Sequence, residues 1–536
     1  MTDPRSLLPR LSPLPWACLI IALGAGRAPA QEKVLAPDRL AALDRISADS
    51  LKGHLSFLAS DLLEGRDTPS RGLDLAAEYI AAQFRRAGLE PVGDDGYFQT
   101  ATWELAEADV SGFRFEVSNG GSSVDMSPED VIFIRGGGFD LPPTPVVKVD
   151  LKAEGDFDPG PLEGAVVLVE IPGAPMPPPG DPAIARIREG MAKLGQSRAA
   201  LIVSISKRPR PPGNPGGLLG PAGNRWLFDP KNPPPEPNNR PGPPSITVFE
   251  PKLAALYDAL PPGPTPATAS FHLAPPTRRP VKLRNVAGLL RGSDPALKET
   301  YVLVTSHYDH LGVRGLEGTD RIYNGANDDG SGTVSVLEIA SALATLKERP
   351  KRSLLFLTFY GEEKGLLGSR YYGRNPLVPV EKTVADVNLE QVGRTDDTEG
   401  ARVGEAVLTG FGYSDVSRAL VAAGEAEGFK VVQHPRNSDA FFGRSDNQAL
   451  ADLGVPAHTL CVAFAFPDYH GAADQWDKVD YVNMAKVDRV VARGLLMIAD
   501  DLAEPKWDEA NPRAAKYLKA WKDRRAKCLR TGRVVW

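Results

Sequence analysis

Histidine or carboxylate side chains of the metal-ligand type stand at five places in this 536-residue chain: HYDH at 307–310, NGANDDGSG at 324–332, GEEKG at 361–365, Glu390 in NLEQ, and DYH ending at His470. Taken singly, each is ordinary. Clusters of asparagine, aspartate and glycine are usually solvated turns, and Glu-Glu pairs usually open exposed helices. A calcium loop is excluded for 324–332, because the position that would need a bidentate glutamate is Val336. Their common placement sets them apart. Apolar runs at 301–306, 353–360, 383–389 and 455–462 are each followed by ligand-type residues: His307 and Asp309, then Glu362 and Glu363, then Glu390, then His470. The 324–332 loop, with Asp328 and Asp329, lies between the first run and the helical pattern after it.

Two histidines and several carboxylates in one cleft require a counter-charge, since neighbouring carboxylates in a dry site cannot all ionise unaided. A divalent cation supplies it. Imidazole with carboxylate favours zinc over calcium or magnesium, which prefer all-oxygen shells. Five ligands, one of them able to bridge, suit two ions about 3.5–4 Å apart. The remaining histidines, His54, His272, His310, His434 and His458, are assigned to packing or surface positions.

Elements able to hold such residues follow from the periodicity. Past residue 280, continuously apolar runs alternate with amphipathic helical patterns at 333–346, 414–427 and 483–502. The expected fold class is α/β, a mixed, mostly parallel sheet with helices on both faces. Ligands in such sheets bind beyond the carboxyl ends of the strands. An earlier helix, LDLAAEYIAAQFRRAGL, places Leu75, Ala76, Tyr79, Ile80 and Phe84 at helical spacing. Between about 110 and 275 short β-like runs (AVVLVEI, AALIVSI, SITVF) alternate with tracts rich in the chain's 50 prolines, and predict a separate β-rich unit.

The first 30 residues carry Arg5 and Arg10, an apolar WACLIIALGAG and a terminal APA, the pattern of a secretory signal cleaved after Ala30. The apolar part is too short for an ordinary transmembrane anchor, so a secreted or periplasmic protein is expected. The formal charge of −6 becomes about −8 on cleavage, which argues against a nucleic-acid partner. Cleavage leaves Cys461 and Cys528, too few for a disulfide scaffold, and Cys461 sits in an apolar run that predicts a buried thiol. The tail from 504 to 536 predicts a basic helix.

The stretches SHYDHLG, NGANDDGSGT, YGEEKGLLGS, VNLEQVGR and YHGAADQWDKVD resemble, in order, the motifs of the secreted co-catalytic zinc aminopeptidases of metallopeptidase family twenty-eight, relatives of glutamate carboxypeptidase. LKGHLSFLASDLLEGR resembles the N-terminal part of the same domain. The resemblance implies a zinc exopeptidase fold divided as 31–110 and 276–503, with a protease-associated-like domain inserted at 111–275 and a tail at 504–536. It implies two zinc ions: His307 and Glu390 on one, Glu363 and His470 on the other, Asp328 bridging, and a cis Asp328–Asp329 peptide. Asp309 would orient His307. Glu362 would be the general base, and Tyr469 would donate to the developing oxyanion.

The chain departs from the family pattern at three places. Glu390 stands where many members have aspartate, SDN at 445–447 where close relatives often have SDH, and HGA at 470–472 where they often have HTP. The expected activity is removal of N-terminal residues from peptides. Alternatives are a carboxypeptidase or dipeptidase on the same site, a single-metal glutaminyl cyclase, and a metal-free binding protein. Retention of every ligand-type residue opposes the last, and the lack of a G-x-S-x-G elbow opposes a serine hydrolase.

Overall fold

The computed structural model describes residues 35–135, 138–151, 162–170, 182–207, 225–231, 242–314 and 320–530. The expected signal segment and most of both proline tracts lie outside them. After a short helix at Pro37–Leu43 come two longer ones, α1 (Ala48–Leu58) and α2 (Arg71–Ala87). Capping fixes the ends of α2. The Ser70 side chain accepts from Leu73 N at its start, and Gly88, at φ 75°, closes it in the left-handed conformation that a side chain would disfavour. Its buried face is Leu73, Ala76, Ala77, Ile80, Ala81 and Phe84. Leu75 is instead 38 % exposed. The apolar stripe is therefore rotated from the expected one, and small alanines let the helix lie close to the sheet.

Two long strands follow, β1 (Phe98–Asn119) and β2 (Gly263–Leu290), paired antiparallel along most of their length. Residues 110 and 275 fall inside these strands, so the ribbon runs unbroken from the main core into the inserted unit. Alternating burial along the ribbon hid it from a search for short apolar runs.

Beyond the ribbon come β3 (Tyr301–His307), α3 (Gly332–Leu343), β4 (Ser353–Phe359), β5 (Thr383–Leu389), β6 (Glu405–Leu408), α4 (Val416–Glu427), β7 (Lys430–Val432), β8 (Ala457–Cys461), α5 (Tyr481–Asp500) and α6 (Ala515–Arg530). Every residue of β3, β4 and β5 is buried, which requires cover on both faces. The sheet order is β7-β6-β8-β5-β3-β4-β2. β4, β3, β5 and β8 run parallel, while β6 opposes β8 and β2 opposes β4. This is the expected mostly parallel sheet with helices. One core joins α1, α2, α3, α4 and α5 to the sheet through Leu55, Ile80, Val304, Leu337, Phe356, Leu420 and Leu495. Each such side chain, fully buried, contributes about 1.5–3 kcal/mol.

The inserted unit continues the sheet through β2 into Phe139–Val149, Val166–Glu170, Leu201–Ile205, Ser245–Val248 and Val131–Arg135. It has a core of its own around Phe115, Val146, Val166, Leu201, Ile246 and Phe271. One of its strands, Arg225–Phe228, pairs back onto β1 at Glu104–Glu107. There Arg225 donates to Pro69 O at 3.4 Å and Leu227 packs on the main core.

The C-terminal helix α6 docks through Tyr517, Leu518 and Trp521 on a cluster that includes Trp507, Phe442 and Tyr413. Its basic residues are largely matched: Lys516 with Asp452, Lys522 with Glu509, and Arg525 with Glu504. The Cys461 thiol is buried and free; the side chain of Cys528 lies outside the described residues. Among the described residues no helix is long and apolar enough to cross a membrane.

Candidate metal centre

Parallel strands end on the same edge, so the residues following β3, β4, β5 and β8 are brought together. His307 is the last residue of β3. Glu362 and Glu363 follow β4, Glu390 follows β5, and His470 stands in the loop after β8. Asp328 enters from the turn between β3 and α3, where the Asp328–Asp329 peptide is cis. His307, Asp328 and Asp329 are buried, whereas the His470 side chain is 37 % exposed.

The two oxygens of Asp328 face opposite partners. Oδ1 lies 3.5 Å from His307 Nε2, and Oδ2 lies 3.1 Å from His470 Nε2. His470 Nε2 is also 3.4 Å from Glu363 Oε2. His307, Asp328 and Glu390 bring one ligand atom each within 4.8 Å of one another. Glu362 Oε2 is 3.9 Å from His307 Nε2. The Asp309 carboxylate accepts from Glu362 N at 3.0 Å and from Thr68 Oγ1 at 3.2 Å. His307 Nδ1 faces Asp309, 3.2 Å from its carbonyl oxygen and 3.5 Å from Oδ1. Tyr469 is 47 % exposed, its ring stacked on that of His470 at 4.0 Å.

Several buried atoms here have no hydrogen-bond partner among the described residues: His307 Nε2, Glu363 Oε1 and Glu390 Oε2. Buried polar atoms are normally satisfied, so this convergence fits divalent cations of the zinc type. The electrostatics agree. Burial pushes the Glu362 carboxyl well above its ordinary range, opposed by His307 and reinforced by Glu390, Glu363 and Asp446. Burial likewise pushes Glu390 up to about 7, opposed by His307 and reinforced by Asp328. His307, despite burial, is held well above its ordinary value by Asp309 and Asp328. Such mutual repulsion is what cations of double charge would relieve.

The turn is held by residues whose roles the sequence patterns did not indicate. Asp329 points away from Asp328 and ties three segments together, accepting from Gly332 N at 3.0 Å, Gln391 N at 3.1 Å and His307 N at 3.3 Å. Asp474 accepts from Asn327 N at 3.0 Å and Asp328 N at 3.1 Å, joining the turn to the His470 loop. Arg66 is fully buried and donates to Tyr308 O (2.8 Å), Leu58 O (2.6 Å), Asn324 O (2.6 Å) and Gly325 O (2.8 Å). Burial lowers its pKa to about 10, against the pull of Asp309, Asp474, Asp329 and Asp328, so it stays charged at neutral pH. The only signal for these roles was their presence within motifs. Arg66→Met strands four buried carbonyls beneath the site and should lower stability by about 3 kcal/mol. Urea unfolding read by tryptophan fluorescence checks it, and an unchanged midpoint would remove Arg66 as the clamp.

Of the histidines assigned to packing, His458 is a satisfied core residue, with Nε2 2.6 Å from Ser414 Oγ and Nδ1 2.8 Å from Thr409 O. His54 meets Tyr79, and His272 meets Asp140. His310 is different: it is completely buried within the site, its Nδ1 2.9 Å from Glu363 Oε1.

Residues 285–495 match peptidase family M28. This chain carries an M28 peptidase domain. The match begins at the end of β2 and spans all four strand ends that supply the site, with the Asp328 turn between the first of them and α3. The described structure is similar to that of an aminopeptidase from Aneurinibacillus sp. strain AM-1, with a TM-score of 0.55 at 18 % identity, covering 88 % of this chain and 97 % of that one. The likeness therefore includes the inserted unit as well as the M28 domain. In sequence, the chain is 42 % identical over 92 residues to a vacuolar membrane protease of Verticillium alfalfae, covering 17 % of this chain and 8 % of that protein. It is 34 % identical over 126 residues to a probable zinc metalloprotease of Leptosphaeria maculans, covering 23 % of this chain and 27 % of that protein. The matched segments thus span well under half of either relative.

Proposed function

We propose that this chain is a zinc-dependent exopeptidase, an aminopeptidase that hydrolyses N-terminal residues from peptides outside the cytoplasm. One observation carries the reading: the Asp328 carboxylate is shared between two histidines, Oδ1 toward His307 and Oδ2 toward His470. A carboxylate so divided suits a bridge between two cations. On this reading His307 and Glu390 hold one zinc ion, Glu363 and His470 hold the other, and Asp328 serves both. Bound zinc supplies Lewis acidity, polarising the scissile carbonyl and making a water acidic enough to attack at neutral pH.

The chain's own residues do the rest. Glu362, 3.9 Å from His307 and held by its main-chain N–H on Asp309, accepts the proton of the attacking water and passes it to the leaving amine. Asp309 fixes the orientation of His307, an arrangement that raises ligand basicity. Tyr469, stacked on His470 at the open side, is placed to donate its hydroxyl to the oxyanion as it develops. Export rests on the apolar segment and APA of residues 1–30. The inserted 111–275 unit is read as protease-associated-like. Its strand Arg225–Phe228 reaches Pro69, next to the threonine that donates to Asp309.

The decisive experiment is a panel of chromogenic amino-acid anilides, free and N-acylated, each assayed with and without added zinc. Free-amine substrates should be cleaved in the zinc-replete protein and acylated ones should not. Cleavage of acylated anilides alone would overturn the aminopeptidase reading, and release of the last residue from an N-acylated dipeptide with a free carboxylate, with the free-amine anilides untouched, would favour a carboxypeptidase. Conversion of N-terminal glutamine without peptide cleavage would identify a cyclase.

A further inference from the structure

We propose that His310 is a further ligand on the His470 side of the centre, offering Nδ1 to the same divalent cation as Glu363, His470 and Asp328. The inference rests on the metal-site reading above and adds to it a residue outside the expected five ligands.

His310 is fully buried, and neither ring nitrogen has a hydrogen-bond partner among the described residues. His458 shows what a structural histidine looks like in this same fold, with both nitrogens satisfied. His310 Nδ1 lies 2.9 Å from Glu363 Oε1, yet Oε1 too is without a hydrogen-bond partner. The pair is close without the angle a hydrogen bond needs. Such closeness is expected of two lone pairs aimed at a third point. Ligand atoms at about 2.0–2.1 Å from one zinc ion lie roughly 2.9 Å apart at a right angle and roughly 3.4 Å apart at a tetrahedral angle. The separations of His310 from Glu363 (2.9 Å), His470 from Asp328 (3.1 Å) and His470 from Glu363 (3.4 Å) all fall on that scale. His310, Asp328 and Glu363 also bring one ligand atom each within 4.8 Å of one another.

The surroundings fix the ring there. His310 N donates to Arg66 O at 3.2 Å. Gly325, at φ 58°, packs against the imidazole so closely that a Cβ would lie 2.4 Å from His310 Cγ. The rings of His310 and His470 meet edge-on, 5.7 Å between centroids, so both nitrogens reach one region without stacking.

The two halves of the centre then differ. The His470 side has two imidazoles and two carboxylates, a nearly closed set that favours zinc and tight retention. The His307 side has one imidazole and two carboxylates and keeps room for water and substrate. The test is titration of the chelator-stripped full chain with Co2+ and Zn2+, reading bound equivalents and the visible absorption of cobalt, for wild type, His310→Ala and His310→Asn. Circular dichroism of the stripped proteins establishes that each is folded, and His310→Asn, the less disruptive change, serves if the alanine variant is not.

Wild type should bind in two steps of unequal affinity. Both variants should weaken the tighter step at least about tenfold, the lower end of what even an indirect metal partner costs, and shift the cobalt spectrum. If His310 merely hydrogen-bonds Glu363, asparagine, which can donate from the Nδ1 position, restores the tight step and the inference falls. It falls equally if His310→Ala binds as wild type does. Wild type that binds no divalent cation would instead defeat the metal-site reading itself.

Discussion

Glu362→Gln should retain its full complement of metal and lose about 10²–10⁴ in kcat, the usual loss when a general base is removed. Glutamine keeps the shape and the main-chain hydrogen bond to Asp309, because that bond is donated by the residue 362 amide N–H and not by the side chain. What it loses is the ability to take a proton. The environment suits the role. Burial pushes the Glu362 carboxyl up, with Glu390, Glu363 and Asp446 adding to the effect, while cations bound among those carboxylates would pull it back toward the working range. Steady-state turnover beside metal analysis of the same preparation separates the two effects. A variant within threefold of wild type would remove Glu362 from the mechanism, and one stripped of metal would make it a ligand.

The strand ends were legible in the sequence because each was marked twice, by a mostly apolar run and by a ligand-type residue directly after it or, for His470, in the loop that follows. β3, β4 and β5 are buried throughout, and a strand covered on both faces is largely apolar, its few polar residues paired, as Thr305 is with Asp386 and Asn388. The ribbon β1/β2 was not legible. Its residues alternate between buried and exposed and include several prolines, so it carries no continuous apolar run, and positions 110 and 275 lie within its two strands. The roles of Arg66, Asp329 and Asp474 were hidden for another reason. Each acts on main-chain groups of distant segments, and such contacts leave no periodicity or spacing to find. His310 was set aside because a histidine after HYD carries no pattern of its own. Only the fold places it against Glu363.

Asp328→Ala should empty the centre, whereas Glu390→Ala should leave half of it filled. Asp328 is the one carboxylate whose two oxygens face different histidines, His307 at 3.5 Å and His470 at 3.1 Å. Its loss therefore takes a ligand from both ions and removes the negative charge that offsets their mutual repulsion. Glu390 groups only with His307 and Asp328, so its loss weakens the ion on the His307 side. The other ion keeps Glu363, His470 and Asp328. Metal analysis under zinc-replete conditions should return about two equivalents for wild type, fewer than one for Asp328→Ala and about one for Glu390→Ala. Because the retained ion sits on the side remote from Glu390, the Glu390→Ala protein should also bind its single zinc nearly as tightly as wild type binds its tighter one. A wild-type stoichiometry of one that Glu390→Ala leaves unchanged would sink the two-ion centre and favour the single-metal cyclase. A Glu390→Ala protein as empty as Asp328→Ala would show that the two ions bind only together.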